Sequence, residues 1–155
     1  AQFNLAICYK NGIGVKQDDA KTAYWYKKAA EQGHIDAQSS LAICYEDGRG
    51  VPQNKAKAAE WYQKAAEQGH IVSQFNLALL FYKNGANAAQ DYEKAVYWYT
   101  KAAEQGMSPA QFNLGVCYEN GQGVPRNRKK AVEWFKKAAE QGNSGAQNVL
   151  KQLGY

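Results

Sequence analysis

The chain has 155 residues, 45% of them hydrophobic, and a net charge of +5 at pH 7. No run of about 18 apolar residues occurs, so no helix is expected to insert in a membrane. The basic excess is local: residues 1–36 carry +1, 37–72 and 73–109 carry 0, and 110–145 carry +3, with Lys151 adding the last. Arg126, Arg128, Lys129 and Lys130 supply most of it. They read as a solvated helix start rather than the continuous basic face of a nucleic-acid binder, so no nucleic-acid partner is expected.

Ala-Ala-Glu-Gln-Gly occurs four times, ending at Gly33, Gly69, Gly106 and Gly142, at spacings of 36, 37 and 36 residues. A period in this range marks stacked supersecondary units, each too small to bury its own apolar face. The units run 1–36, 37–72, 73–109 and 110–145, and Ala146–Tyr155 begins a fifth. The expectation is an all-α chain of about four helix-turn-helix repeats plus a partial C-terminal helix, forming a single solenoid domain over 1–155. Ala1 falls inside a repeat, so the chain reads as an excerpt of a longer one. Its compartment, cytoplasmic or exported, is left open.

Each unit opens like Ala1-Gln-Phe-Asn-Leu-Ala-Ile-Cys-Tyr9. At ~100° per residue this predicts a first helix of about 11 residues with Ala1, Leu5, Cys8 and Tyr9 on one face. Phe3, Asn4, Ile7, Lys10 and Asn11 fall on the other. A turn follows at Gly12-Ile-Gly14, Gly48-Arg-Gly50, Gly85-Ala-Asn87 and Gly121-Gln-Gly123. These residues tolerate positive φ, and a helix rather than a strand precedes them, which argues against a phosphate loop.

The second helix starts at Asp18, Asn54, Asp91 and Asn127, all good N-caps. It carries Trp25-Tyr26, Trp61-Tyr62, Trp98-Tyr99 and Trp134-Phe135, and it ends at the recurrent Gly. Ser108-Pro-Ala-Gln111 has the form of a capping box with Pro at the first helical position, and Ser144-Gly-Ala-Gln147 repeats it, placing a last helix near Ala146.

This pattern resembles the Sel-one-like repeat family of tetratricopeptide-like αα solenoids. The fourth copy carries nearly all of the family's spacing: Ala110, Leu114, Gly115, Tyr118, Gly121, Gly123, Val124, Lys130, Ala131, Trp134, Lys137, Ala138, Ala139 and Gly142. The resemblance implies a right-handed superhelix whose first helices line a concave, peptide-binding surface, and an adaptor role. Disulfide-rich members place Cys at the positions of Gln2 and Ala30, so that bracing is not implied for this chain.

The third copy has one extra residue between Gln74 and Gly85, and Ala88 replaces the usual Val. An insertion inside the helix would rotate everything after it or demand a π-bulge. Keeping Leu80 and Phe81 in the Cys and Tyr places puts the slack in the turn, where loops absorb it, and brings Tyr82 to the open face.

Candidate chemistry is sparse. Cys8, Cys44 and Cys117 share one repeat position on helices expected about 10 Å apart, beyond the ~7 Å a disulfide spans. They read as small buried hydrophobes, and no Cys or His spacing suits a metal. His34 and His70 share a position that Met107 and Asn143 take in later copies, which suggests a generic role. Relatives have been linked to β-lactam hydrolysis, yet no Ser-x-x-Lys surrounds Ser39, Ser40, Ser73, Ser108 or Ser144. Neither an enzyme nor a cofactor is expected.

The open face of the first helix is the candidate site. Down the repeats it presents Phe3, Ser39, Phe75 and Phe112; Asn4, Ser40, Asn76 and Asn113; Ile7, Ile43, Leu79 and Val116; and Asn11, Asp47 and Asn120. Carboxamides suit the alternating donors and acceptors of an extended peptide, and the apolar residues supply desolvated pockets. The same Phe and Asn side chains would serve equally as packing and bonding between neighbouring helices. Lys10, Glu46, Lys83 and Glu119 alternate in sign, as an intramolecular ladder or as a selector of a mixed-charge partner. The sequence therefore points to a protein or peptide-binding scaffold, with a structural spacer inside a larger repeat protein as the alternative. It leaves the oligomeric state undetermined.

Overall fold

In the computed structural model, which describes residues 1–85 and 89–155, the described residues form helices and turns with no strand. Among the described residues nine helices follow in order: α1 (Gln2–Asn11), α2 (Asp19–Glu31), α3 (Ile35–Asp47), α4 (Lys55–Glu67), α5 (Ile71–Gly85), α6 (Ala89–Glu104), α7 (Ser108–Asn120), α8 (Arg128–Glu140) and α9 (Ser144–Gln152). They belong to two compact units, Ala1–Ser73 and Gln74–Tyr155, with the division inside α5.

In the first unit α1 packs on α2, α2 on α3 and α3 on α4. In the second, α6 packs on α7, α7 on α8 and α8 on α9. Alanine makes the close stacking feasible: Ala23, Ala29, Ala30 and Ala37 surround Leu41 in one unit, and Ala131, Ala138 and Ala146 surround Phe135 in the other.

The second helices start as the sequence predicts at three of four places. Asp18, Asn54 and Asn127 accept the backbone N–H of Lys21, Lys57 and Lys130 at 2.9, 2.9 and 3.0 Å. The N–H groups of these caps bond back to the carbonyls of Tyr9, Tyr45 and Tyr118, which ties the end of each first helix to the start of the second. Asp91 is different: α6 begins at Ala89, so Asp91 lies in the first turn and pairs with Lys94 at 3.7 Å.

The expected capping boxes are displaced by one residue. Met107 is the N-cap of α7 and offers no side-chain bond, while Ser108 and Pro109 are already helical. Asn143, not Ser144, caps α9 by accepting from Ala146 N–H at 2.9 Å. His34 and His70 serve the same purpose in earlier repeats, accepting from the N–H of Ala37 and Ser73 through Nδ1. Capping is therefore the shared role of this position, which Met107 alone does not fulfil.

The turns close on neighbouring helices. A Cβ added to Gly50 would overlap the Asp19 carbonyl, and one added to Gly123 would overlap the Tyr92 carbonyl, so only glycine fits where the turn meets the preceding second helix.

In the third repeat α5 runs as an α-helix for 15 residues, against 13 in α3 and α7, and takes up part of the slack itself. Lys94 sits 5.3 Å from the Phe81 ring centroid, as Lys21, Lys57 and Lys130 sit over Tyr9, Tyr45 and Tyr118 at 5.1, 5.4 and 5.4 Å. Phe81 thus holds the Tyr place, and the extra residue falls after it. Ala86, Asn87 and Ala88 lie outside the described residues.

Candidate functional site

The open face of the first helices is built differently in the two units. In the second, Leu79, Tyr82 and Lys83 of α5, Phe112, Asn113 and Val116 of α7, and Tyr99 of α6 line a groove of about 360 Å³. Six of these seven were expected on the open face. Tyr99 was not, because it belongs to the Trp-Tyr pair of the second helix, yet its ring reaches the groove floor.

The hydroxyl of Tyr99 hydrogen-bonds the Asn113 side chain, and burial raises its pKa well above the usual phenol range. Tyr82 donates from its hydroxyl to Gln122 Oε1 at 3.0 Å and meets Tyr92 edge-on, with burial again raising its pKa. Both hydroxyls thereby have a side-chain partner, and the groove presents the half-buried Tyr82 ring and the Leu79, Phe112 and Val116 side chains beside Asn113 and Lys83, with Tyr99 buried beneath them.

In the first unit the corresponding cleft lies among Lys10, Tyr26, Ser40, Ile43, Cys44 and Arg49, and encloses only about 50 Å³. There Ser40 bonds the Tyr26 hydroxyl as Asn113 bonds Tyr99. The fourth repeat has Phe135 in the Tyr place and Val149 in the Asn place, so donor and acceptor are absent together.

The remaining expected residues have mainly local partners. Phe3 stacks on His34 at 4.4 Å and tilts against Tyr26 at 5.7 Å; Phe75 tilts against Tyr99 and Phe112 against Phe135. Ser39 is buried and does not reach the open face. Asn4, Lys10 and Asn11 are exposed, Ile7 and Asn76 half-buried. Glu46 accepts from the Tyr62 hydroxyl at 2.8 Å, and Asp47 pairs with Arg49 at 2.6 Å. Glu119 pairs with Arg126 at 3.2 Å, and Asn120 donates to Gln122 at 3.3 Å. No charge ladder forms within either unit: neither Lys10 with Glu46 nor Lys83 with Glu119 is an ion pair among the described residues.

Sequence reasoning missed a recurrent polar clamp. Gln68, Gln105 and Gln141, from the repeated Glu-Gln-Gly, donate to Oε1 of Gln38, Gln74 and Gln111 at 2.8, 2.7 and 2.8 Å. Gln38 and Gln111 then donate to the carbonyls of Ala30 and Ala103 at the end of the preceding second helix. The signal was the recurrence itself, but a repeated Gln does not name its partner.

A model of the Sel1 repeat matches the chain four times, over residues 1–34, 35–70, 71–107 and 108–143. The chain belongs to the Sel1 repeat family. Among solved structures it is similar to a Sel1 repeat protein from Oxalobacter formigenes, with 36% identity and a TM-score of 0.88 over 96% of this chain and 61% of that one. It is also similar to c5321, a protective antigen present in uropathogenic Escherichia coli strains displaying an SLR fold, with 35% identity and a TM-score of 0.56 over 98% of this chain and 40% of that one. A third is cysteine-rich protein B of Helicobacter pylori, with 31% identity and a TM-score of 0.63 over 90% of this chain and 100% of that one. The chain thus spans less than two thirds of the first two relatives. No curated protein matches it.

The Sel1 repeats form an all-α helical solenoid, a fold that generally serves as a non-catalytic scaffold for protein interactions. Among the described residues, no helix is long and apolar enough to cross a membrane, and no group of His, Cys, Asp and Glu has a metal-holding arrangement.

Proposed function

We propose that this chain is a non-enzymatic interaction module that takes an extended peptide or partner segment along the open face of its first helices. The observation that carries the reading is the groove of about 360 Å³ between α5 and α7, lined by Leu79, Phe112 and Val116 over the Tyr99 ring. Preformed, mostly apolar clefts of ~300–1,000 Å³ with a few fixed polar groups are the usual form of a binding site. A spacer would have no need to leave these side chains half-buried rather than covered.

Hydrogen–deuterium exchange tests the reading. The chain is mixed with linear peptides recovered from a displayed random library, and protection is mapped. Slower exchange along α5 and α7 supports the groove. Failure to recover any peptide would favour the spacer, and protection confined to the second helices would move the site elsewhere.

A further inference from the structure

We infer that the groove between α5 and α7 anchors one bulky apolar side chain of a peptide that carries Asp or Glu close beside it, the carboxylate meeting Lys83. The inference rests on the peptide-binding reading above and gives it a partner chemistry.

Size comes first. The groove holds about 360 Å³, whereas the corresponding cleft of the first unit holds about 50 Å³. At ~30 Å³ per water the smaller space admits roughly one or two solvent molecules, and the larger one admits a side chain.

Chemistry comes second. Leu79, Val116 and Phe112 wall the groove, the half-buried Tyr82 ring lines it with its hydroxyl held by Gln122, and Tyr99, buried and bonded to Asn113, backs it from beneath. Apart from Asn113, which already bonds Tyr99, and the exposed Lys83, the lining offers an entering side chain no polar partner, so the groove favours an apolar anchor.

Charge comes third. The flanking helices carry one ionic residue each: Lys83 on α5 and Glu119 on α7. Glu119 is tied to Arg126 at 3.2 Å, while Lys83 lines the groove, is exposed and forms no ion pair among the described residues. The uncompensated charge is positive, which complements an acidic neighbour of the anchor.

The test selects linear peptides from a displayed random library against the 155-residue chain and against Lys83→Glu, whose exposed position leaves the fold intact. The expected wild-type peptides carry Leu, Phe or Trp within two positions of Asp or Glu. Synthetic versions should bind Lys83→Glu about fivefold more weakly, the scale of an exposed ion pair, and selection on that variant should favour Lys or Arg. Apolar peptides indifferent to the charge at 83 would overturn this inference and leave the groove reading standing. Selected peptides whose binding survives Val116→Glu, in a variant shown by circular dichroism to be folded, would overturn both. A sedimenting dimer dispersed by Val116→Glu would also overturn the inference, because the occupant would be a second copy of the chain.

Discussion

Tyr62 donates its hydroxyl to Glu46 Oε2 at 2.8 Å, and the corresponding pair in the fourth repeat, Phe135 and Glu119, lacks that bond. Glu119 Oε2 is sealed from solvent with no hydrogen-bond partner among the described residues, although its other oxygen meets Arg126. Leaving a buried acceptor unsatisfied costs ~1–3 kcal/mol. Phe135→Tyr restores the donor where the second repeat has it and should raise stability by about 1 kcal/mol in a urea melt. An unchanged or lower midpoint would mean that the hydroxyl does not reach Glu119.

The ring of Phe135 lies directly over Gly115. A Cβ at that position would come within 2.6 Å of Phe135 Cε1 and 2.7 Å of Cδ1, closer than side chains pack. Ala6, Ala42 and Ala78 fill the same repeat position elsewhere, so alanine alone is compatible with the fold. Gly115→Ala should destabilise by ~1–3 kcal/mol through overpacking. Adding Phe135→Leu should recover part of that loss, and additive melts would show that the two sites do not touch.

The repeated Glu-Gln-Gly offers an internal control. Gln68 donates to Gln38, which is 5% exposed, whereas Gln2 Oε1, the equivalent acceptor for Gln32, is buried with no hydrogen-bond partner among the described residues. Gln68→Ala removes a bond and strands a buried acceptor, a cost of ~1–2 kcal/mol. Gln32→Ala removes no such bond and should be nearly neutral. Equal losses at the two positions would mean that helix-end propensity, not the clamp, explains the recurrence.

Burial pushes the Cys117 thiol up to about 12 and raises that of Cys44, where burial outweighs the opposing pull of Arg49 and Lys10. The folded state therefore holds these protons more tightly than the unfolded chain. The associated stability is fully present below the ordinary thiol pKa, near 8.5, and is lost as pH rises from there towards 12. A disulfide-exchange reagent at pH 8 should label half-buried Cys8 fastest and reach Cys117 only at the rate of unfolding. Fast labelling of Cys117 in the native protein would contradict its burial.

The period, the helix order and three of the second-helix caps were legible in the sequence because each depends on local chemistry repeated in every copy. Asp91 was misplaced because α6 starts two residues earlier, at Ala89, and periodicity does not report where a helix begins in a copy that carries an extra residue. Ser108 was misread because Ser-x-x-Gln also fits a helix whose cap lies one residue earlier, at Met107, which makes Ser108 the first helical residue rather than the cap. Ser39 was assigned to the open face by angle alone, yet it is 5% exposed, a burial that the angle does not report. In the groove, Leu79, Phe112 and Val116 could be read from helical spacing, whereas Tyr99 arrives from another helix across the packing.

Asn113 is where structural and binding roles meet. Its side chain bonds the Tyr99 hydroxyl, and the Tyr99 ring is 1% exposed, so little water stands ready to replace a lost partner. Asn113→Ala should therefore lower stability by ~1–2 kcal/mol, not leave it unchanged as a residue used only for binding would. Tyr99→Phe removes the other half of the pair. If the bond is the reason for the loss, the double variant should be less destabilised than the sum of the singles, with a coupling of at least ~0.5 kcal/mol. Peptide affinity then separates the two roles. Asn113→Ala alone opens the floor and frees a hydroxyl, so it should weaken an apolar anchor, while the double variant, with both polar groups gone, should bind it close to wild type. Weak binding in both would assign Asn113 a direct contact with the ligand.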